Sequence, residues 1–187
     1  MKYGGWYQVA FAHQLKSDLS SLELGDRRLL VVRTGDDYEI FEAACPHRGM
    51  DLGFGKMVGD RVVQCPYHGH RISLGGEGGG PFCVRQYRSL LFQGLILALV
   101  GDFDEGPLPA TLAGIGRTHK IFHGFETAIR APLDVVMDNT FDWAHFTNVH
   151  HLLGMKHSET IVEDGVLSAT SMLKLRASIW QAAPGGA

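Results

Sequence analysis

The apolar positions of the first hundred residues come in short runs, cut by turn residues at strand-length intervals. The stretch RRLLVVRTGDDYEIFEA reads as two strands around a Gly-Asp-Asp turn, a hairpin signal. DRVVQC and SLLFQGLILALVGD add further strands, and Leu90–Val100 reads as buried strand; it is too short to span a bilayer and holds Gln93 and Gly94. The glycine-rich GGEGGG (75–80) is a loop with no helix after it and no Lys-Ser/Thr, so it does not read as a phosphate cradle. GDFDEGPLP (101–109) has the composition of a boundary. Beyond it the period changes. PLDVVMDNTFDWAHFTNVHH predicts a helix starting near Pro132, with Val135, Val136, Phe141 and Phe146 turned inward. ETIVEDGVLSATSMLKLRASIW returns to strand character with Glu-Asp-Gly as a turn, and QAAPGGA reads as a loose end; no internal repeat is visible.

Composition narrows the function classes. The 187 residues, 45% hydrophobic and 20% charged, suit a globular chain of one comfortable domain, or of one small domain and part of another. The net charge of −3, with no long Lys/Arg run, gives no nucleic-acid footprint. No charged n-region followed by an apolar h-region opens the chain, and three cysteines do not form a disulfide framework, so a cytoplasmic location without membrane attachment is expected. Ten histidines are many, and they gather at 47, 68 and 70 and again at 145, 150, 151 and 157.

The first gathering includes Cys45-x-His47 and, seventeen residues on, Cys65-x-x-His68. A tetrahedral Cys₂His₂ zinc site is the simplest reading. Zinc fingers pair Cys with Cys and His with His, however, whereas each loop here carries one of each. That suits two irons held unsymmetrically, one by both thiolates and the other by both imidazoles, which is Rieske [2Fe–2S] ligation. Pro46 and Pro66 stiffen the loops, and Gly49 and Gly69 let backbone N–H groups approach sulfur. CPHRG and CPYHG at this separation resemble the Rieske domains of ring-hydroxylating and demethylating oxygenases. The resemblance implies the soluble type: where respiratory members carry an extra cysteine in each loop, Met50 and Tyr67 stand here. His70 departs from the Trp common after His-Gly in the oxygenases and reads as a surface residue or a neighbour of the ligands. Cys83 reads as a small buried residue.

A Rieske cluster moves one electron and does no substrate chemistry alone. The segment DNTFDWAHFTNVHH, with Asp142-x-x-His145-x₄-His150, resembles the mononuclear iron motif of the same oxygenases, closest to the vanillate demethylase and dicamba monooxygenase branch, as does GGWYQVA near the start. Residues five apart on an α-helix are rotated by about 140°. His145 and His150 can therefore share a metal only if the helix ends or bulges between them, where Thr147 and Asn148 are weak formers. The family pattern favours His150 over His151. Two imidazoles and a carboxylate leave ferrous iron open positions for O₂. The family's carboxylate is an aspartate far downstream; Glu159, Glu163 and Asp164 lack its context. By resemblance Asp142 bridges the two centres, between His68 of one subunit and His145 of the next, and Asn139 neighbours the iron.

The resemblance implies a mainly β chain: a Rieske β-sandwich over 1–106, then over 107–187 the beginning of an α+β helix-grip catalytic domain. It implies a [2Fe–2S] cluster and mononuclear Fe(II), a ferredoxin or flavin reductase as donor, O₂ with an aromatic or other hydrophobic substrate, and a head-to-tail homotrimer. The function expected is hydroxylation or O-demethylation by an oxygenase component. The alternatives are a Rieske electron carrier without oxygenase activity and a zinc-stabilised binding domain.

Overall fold

A computed structural model describes residues 4–76, 82–124, 129–150, 153–163 and 166–174. Contacts divide the chain into two compact units, Met1–His123 and Gly124–Ala187. The first contains ten strands: β1 (Gly5–Phe11), β2 (Leu19–Leu24), β3 (Arg27–Thr34), β4 (Asp37–Glu42), β5 (Lys56–Gly59), β6 (Val62–Gln64), β7 (Arg71–Leu74), β8 (Cys83–Val84), β9 (Gln86–Phe92) and β10 (Leu95–Val100). Six form an antiparallel sheet in the order β1-β10-β9-β4-β3-β2, and four form a smaller sheet in the order β5-β6-β7-β8.

The hairpin read from RRLLVVRTGDDYEIFEA is β3–β4, closed where Thr34 pairs with Asp37 across Gly35-Asp36. The unbroken run Leu29-Leu30-Val31-Val32 has no polar alternation because both faces of β3 are covered. Leu30 and Val32 pack with Phe41, Val63 and Ile72 in one core, while Leu29 and Val31 pack with Ile40, Tyr87 and Ile96 in the other. A side-chain period of two over a doubly buried strand gives just such a run. Leu90–Val100 is not a single strand. It folds back at Gln93 (φ 49°) and Gly94 (φ 84°), the two left-handed residues that a tight type I′ hairpin needs, and only the β10 half is mostly buried. Cys83 is half-buried rather than buried, because β8 is a two-residue edge strand held by β7 alone.

The composition break at 101–109 leads into a short helix, α1 (Leu108–Ile115). The chain after α1 stays with the first unit: the Gln93 side chain donates to the His119 carbonyl and accepts from the Ile121 N–H, and the His123 ring packs edge-on to Phe11. Most of GGEGGG lies outside the described residues, as does the C-terminal QAAPGGA.

The second unit holds α2 (Leu133–Phe141), α3 (Trp143–Asn148) and an antiparallel pair, β11 (Leu153–Glu163) and β12 (Val166–Lys174). The strand expectation is met there, and the residues of the expected turn, Asp164 and Gly165, lie outside the described ones. The single helix expected from Pro132 is two helices. Thr140 bonds back to the Val136 carbonyl at 2.9 Å, a local competitor of the helix ladder. Asp142 then turns extended (φ −82°, ψ 95°). Val135 does not face inward. It is 53% exposed, because no described residue covers that side of α2.

One polar anchor ties the first Cys/His loop to the large sheet. Asp51 is buried, and its carboxylate accepts from the Gly53 N–H and the Ser21 hydroxyl, each at 2.8 Å, with Arg28 at 3.5 Å. Removing a buried acceptor strands its donors. Asp51→Ala should lower stability by about 1–3 kcal/mol, read from urea unfolding followed by far-UV circular dichroism.

Candidate metal centres

The two Cys/His loops hang from the strand ends on the same hydrogen-bonding plan. In the first, the Cys45 N–H donates to the Met50 carbonyl at 2.8 Å and the Gly49 N–H to the Cys45 carbonyl at 2.7 Å. In the second, Cys65 N–H reaches the His70 carbonyl at 2.8 Å and Gly69 N–H the Cys65 carbonyl at 3.0 Å. Gly49 (φ 70°) and Gly69 (φ 71°) occupy the same left-handed position. A side chain there is strained whatever the space around it. The loops differ in one respect: the histidine stands third in the first and fourth in the second.

This plan separates the donors by kind. Cys45 and Cys65 are 3% and 2% exposed, inside the core formed by Phe41, Leu52, Val63 and Ile72. His47 and His68 are exposed, and their rings meet edge-on with centroids 4.7 Å apart. Burial pushes the Cys45 thiol above its ordinary range. The His47 and Arg48 amides, which donate to its sulfur, act in the opposite direction, and the hydrogen bond with Cys65 adds to the rise. Loading metal must therefore expel protons that the dry pocket otherwise retains. Desolvation lowers the His47 imidazole, and the neighbouring His70, His68 and Arg48 side chains lower it further. That favours the neutral form, which binds metal. Among the described residues no three His, Cys, Asp or Glu groups converge as a single-ion site requires. A sulfur pair and an imidazole pair, each shared between two loops, fit a two-iron cluster.

Gln64 and Arg28 gave no signal in the sequence, whereas His70, Tyr67 and Met50 were already marked by their places in the two loops. Gln64 donates to the Gly69 carbonyl at 3.2 Å, and Arg28 reaches the Gly49 carbonyl at 3.4 Å, one brace for each loop. His70 is half-buried, edge-on to His47 at 4.7 Å and stacked on Phe82 at 4.5 Å. Tyr67 lies over His68 at 4.0 Å. Asp51 could have been noticed as the single acid between Ala44 and Gly55. Met50 is partly buried against the cysteine-bearing core.

In the second unit α3 ends at Asn148, between His145 and His150, and the two rings come within 4.6 Å at 67°. Asn148 bonds back to the Ala144 carbonyl at 2.9 Å where the helix stops. His145 Nδ1 is buried without a partner, a polar atom that the described residues leave unsatisfied and that a bound group would explain. Asp142 is exposed and caps α3: its Oδ1 accepts from the Ala144 and His145 N–H groups at 3.0 and 3.2 Å. Asn139 is exposed on α2. His151, the rival of His150, and the side chains of Glu159, Glu163 and Asp164 lie outside what is described.

Residues 5–87 match the Rieske [2Fe-2S] domain family. The chain is 27% identical over 166 residues to the cholesterol 7-desaturase of Drosophila melanogaster, covering 78% of this chain and 38% of that protein. It is 27% identical over 165 residues to the oxygenase component of 3-ketosteroid-9-alpha-monooxygenase from Rhodococcus rhodochrous, covering 79% and 41%. The fold resembles dicamba monooxygenase bound to dicamba, with a TM-score of 0.66 and 22% identity over 94% of this chain and 59% of that one. The chain spans well under half the length of the curated relatives it matches.

The loop geometry carries a test of its own. Gly49→Ala or Gly69→Ala should each cost about 1–2 kcal/mol of left-handed strain and lower the iron and acid-labile sulfide recovered per chain. Gly35→Ala, at a left-handed turn in the β3–β4 hairpin, should cost similar stability and leave both contents unchanged.

Proposed function

This chain carries a Rieske [2Fe–2S] domain over residues 5–87, and from that premise we propose that it acts in the oxygenase component of a Rieske-type oxygenase. The observation that carries the reading is the pair of identically bonded loops that bury two thiols and expose two imidazoles. Cys45 and Cys65 would hold one iron, and His47 and His68 the other. Such a cluster supplies one electron at a time, at a potential above that of an all-cysteine ferredoxin. The chain's own contribution is to keep the sulfur side dry and the imidazole side open. The His47 and Arg48 amides are aimed at the Cys45 sulfur, where donors favour the charged, metal-binding form.

His145 and His150, with rings 4.6 Å apart, would hold a mononuclear ferrous ion. In this reading Asn139 neighbours that iron, and Asp142 joins the two centres across subunits of a homotrimer. The cap on α3 is compatible with the second role, because both amides bond to Oδ1 and Oδ2 stays available. Electrons would come from a ferredoxin or flavin reductase, and the reaction would be hydroxylation or O-demethylation of an aromatic or other hydrophobic substrate. The domain division in this reading is 1–106 and 107–187, and the compartment is the cytoplasm. No helix of the described residues is long and apolar enough to cross a membrane.

The purified protein should be red-brown, with about two acid-labile sulfides and, with the mononuclear site filled, about three irons per chain; a colourless zinc protein would overturn the reading. His68→Cys should retain a cluster but move its potential from the Rieske range, about −150 to +300 mV, toward the roughly −400 mV of an all-cysteine centre, as read by spectroelectrochemistry. An unchanged potential would remove His68 from the ligands. Asp142→Asn keeps the capping oxygen and replaces the second acceptor with a donor. The helix and the metal content should persist, while reductase-driven O₂ uptake coupled to product falls roughly 10–100-fold; normal turnover would remove the bridging role.

A further inference from the structure

We infer that His13 and His123 form a surface site for a divalent transition-metal ion, a third imidazole pair, which pins the chain after α1 to the first unit. Neither residue belongs to the centres described above, and the inference does not rest on the oxygenase reading. Three of the ten histidines, 13, 119 and 123, fall outside the two gatherings. His13 and His123 are 110 positions apart in the chain, yet their rings meet with centroids 5.1 Å apart at 61°. The two pairs read above as iron ligands stand in nearly the same relation: His47 and His68 at 4.7 Å and 71°, His145 and His150 at 4.6 Å and 67°. His13 and His123 are exposed, and neither ring forms a hydrogen bond or an ion pair among the described residues, so their nitrogens are open to a ligand. His119 is engaged elsewhere: its Nδ1 and the Thr118 hydroxyl share a hydrogen bond of 2.7 Å.

The tip of the β9–β10 hairpin holds both partners in place. His13 lies in the three-residue 3-10 turn Ala12–Gln14 that follows β1. The Ala12 N–H donates to the Gly94 carbonyl at 2.7 Å, and the Gln14 Oε1 accepts from the Phe11 N–H at 2.7 Å. On the other side Gln93, beside Gly94, donates to the His119 carbonyl at 3.0 Å and accepts from the Ile121 N–H at 2.8 Å. Phe11 closes the base of the pair, edge-on to the His123 ring at 4.9 Å and 5.8 Å from the His13 ring. These bonds bring the rings together before any ligand arrives, which lowers the ordering cost of binding. Neutral imidazole suits zinc, copper and nickel. No third His, Cys, Asp or Glu joins the pair among the described residues, so water fills the other positions and the ion exchanges, unlike one in a closed structural zinc site. Because the two ligands are remote in sequence, the site exists only in the folded chain, and an ion bound there stabilises the attachment of residues 116–123.

The probe is zinc, added alone to the protein as purified, with bound metal measured by equilibrium dialysis. His13→Phe and His123→Phe each keep an aromatic ring against Phe11 and remove the nitrogens. Each should lower zinc uptake by about one ion per chain, with affinity at the pair falling at least about tenfold because one of two tethered ligands is gone. Iron and acid-labile sulfide should be unchanged in both. Zinc should also slow tryptic cleavage after Arg117 and Lys120, which are exposed, at least about threefold in the wild type. A chelator should reverse that protection, and neither variant should show it. Variants that take up as much zinc as the wild type would overturn the proposal, since the ring contact would then be aromatic packing alone. So would a loss confined to one variant, which leaves a single imidazole as ligand. If either variant loses its far-UV circular dichroism, reversible protection of the wild type still supports the site, and its absence overturns it.

Discussion

Two sulfur atoms must lie in dry core while two imidazoles stand at the surface a few ångströms away, and the first unit is organised by that requirement. Cys45 follows the end of β4 and Cys65 the end of β6, strands of two different sheets. The thiols enter one apolar cluster with Phe41, Leu52, Val63 and Ile72. Burial of both cysteines is thus a consequence of packing the small sheet on the large one. The loops reach outward from that shared floor, and their backbone groups are bonded at the neck in the same way. With the main chain fixed, the position of the histidine is the principal variable. Third place in one loop and fourth in the other brings the two rings edge to edge.

This arrangement also explains the density of polar supports beside so apolar a floor. A loop carrying ligands cannot be held by hydrophobic contact alone, because contact does not fix direction, whereas a hydrogen bond does. Arg28 and Gln64 each brace a glycine carbonyl, and Asp51 ties the first loop to β2 through Ser21. The buried carboxylate is tolerable because each of its oxygens has a donor. Gly53 shows how tight the junction is. A Cβ there would lie 2.5 Å from the Ser21 side chain, so the approach that satisfies Asp51 admits no larger residue.

The strands and the two Cys/His loops were legible for a common reason: each is encoded locally. A doubly buried strand needs a continuous apolar run, and β3 has one; the Cys and His of each loop stand two or three residues apart, a spacing visible in any short window. What escaped was carried by weak local signals or set by distant partners. Leu90–Val100 hid a hairpin because Gln93-Gly94 is a weaker turn signal than Asn-Gly. The helix over 133–148 is apolar enough to run on, yet Asp142 serves α3 as a cap and breaks it. Val135 follows a helical period toward a face that no described residue covers. Asp51, Arg28 and Gln64 matter through bonds to residues 5 to 30 positions away, which no short pattern displays.

The two units solve the problem of fixing histidines in different ways. In the first, each imidazole rides on a loop whose ends are bonded into a sheet sandwich. In the second, His145 sits in the first turn of a six-residue helix and His150 just beyond its end. Isolated helices of that length are not stable by themselves, so the Asp142 cap and the backbone bond from Val149 to His145 bear much of the local order. Both features act on the same short segment, and both lie next to His145 Nδ1, which has no partner among the described residues. A group that satisfied that nitrogen would therefore add order to a helix that few other contacts among the described residues hold.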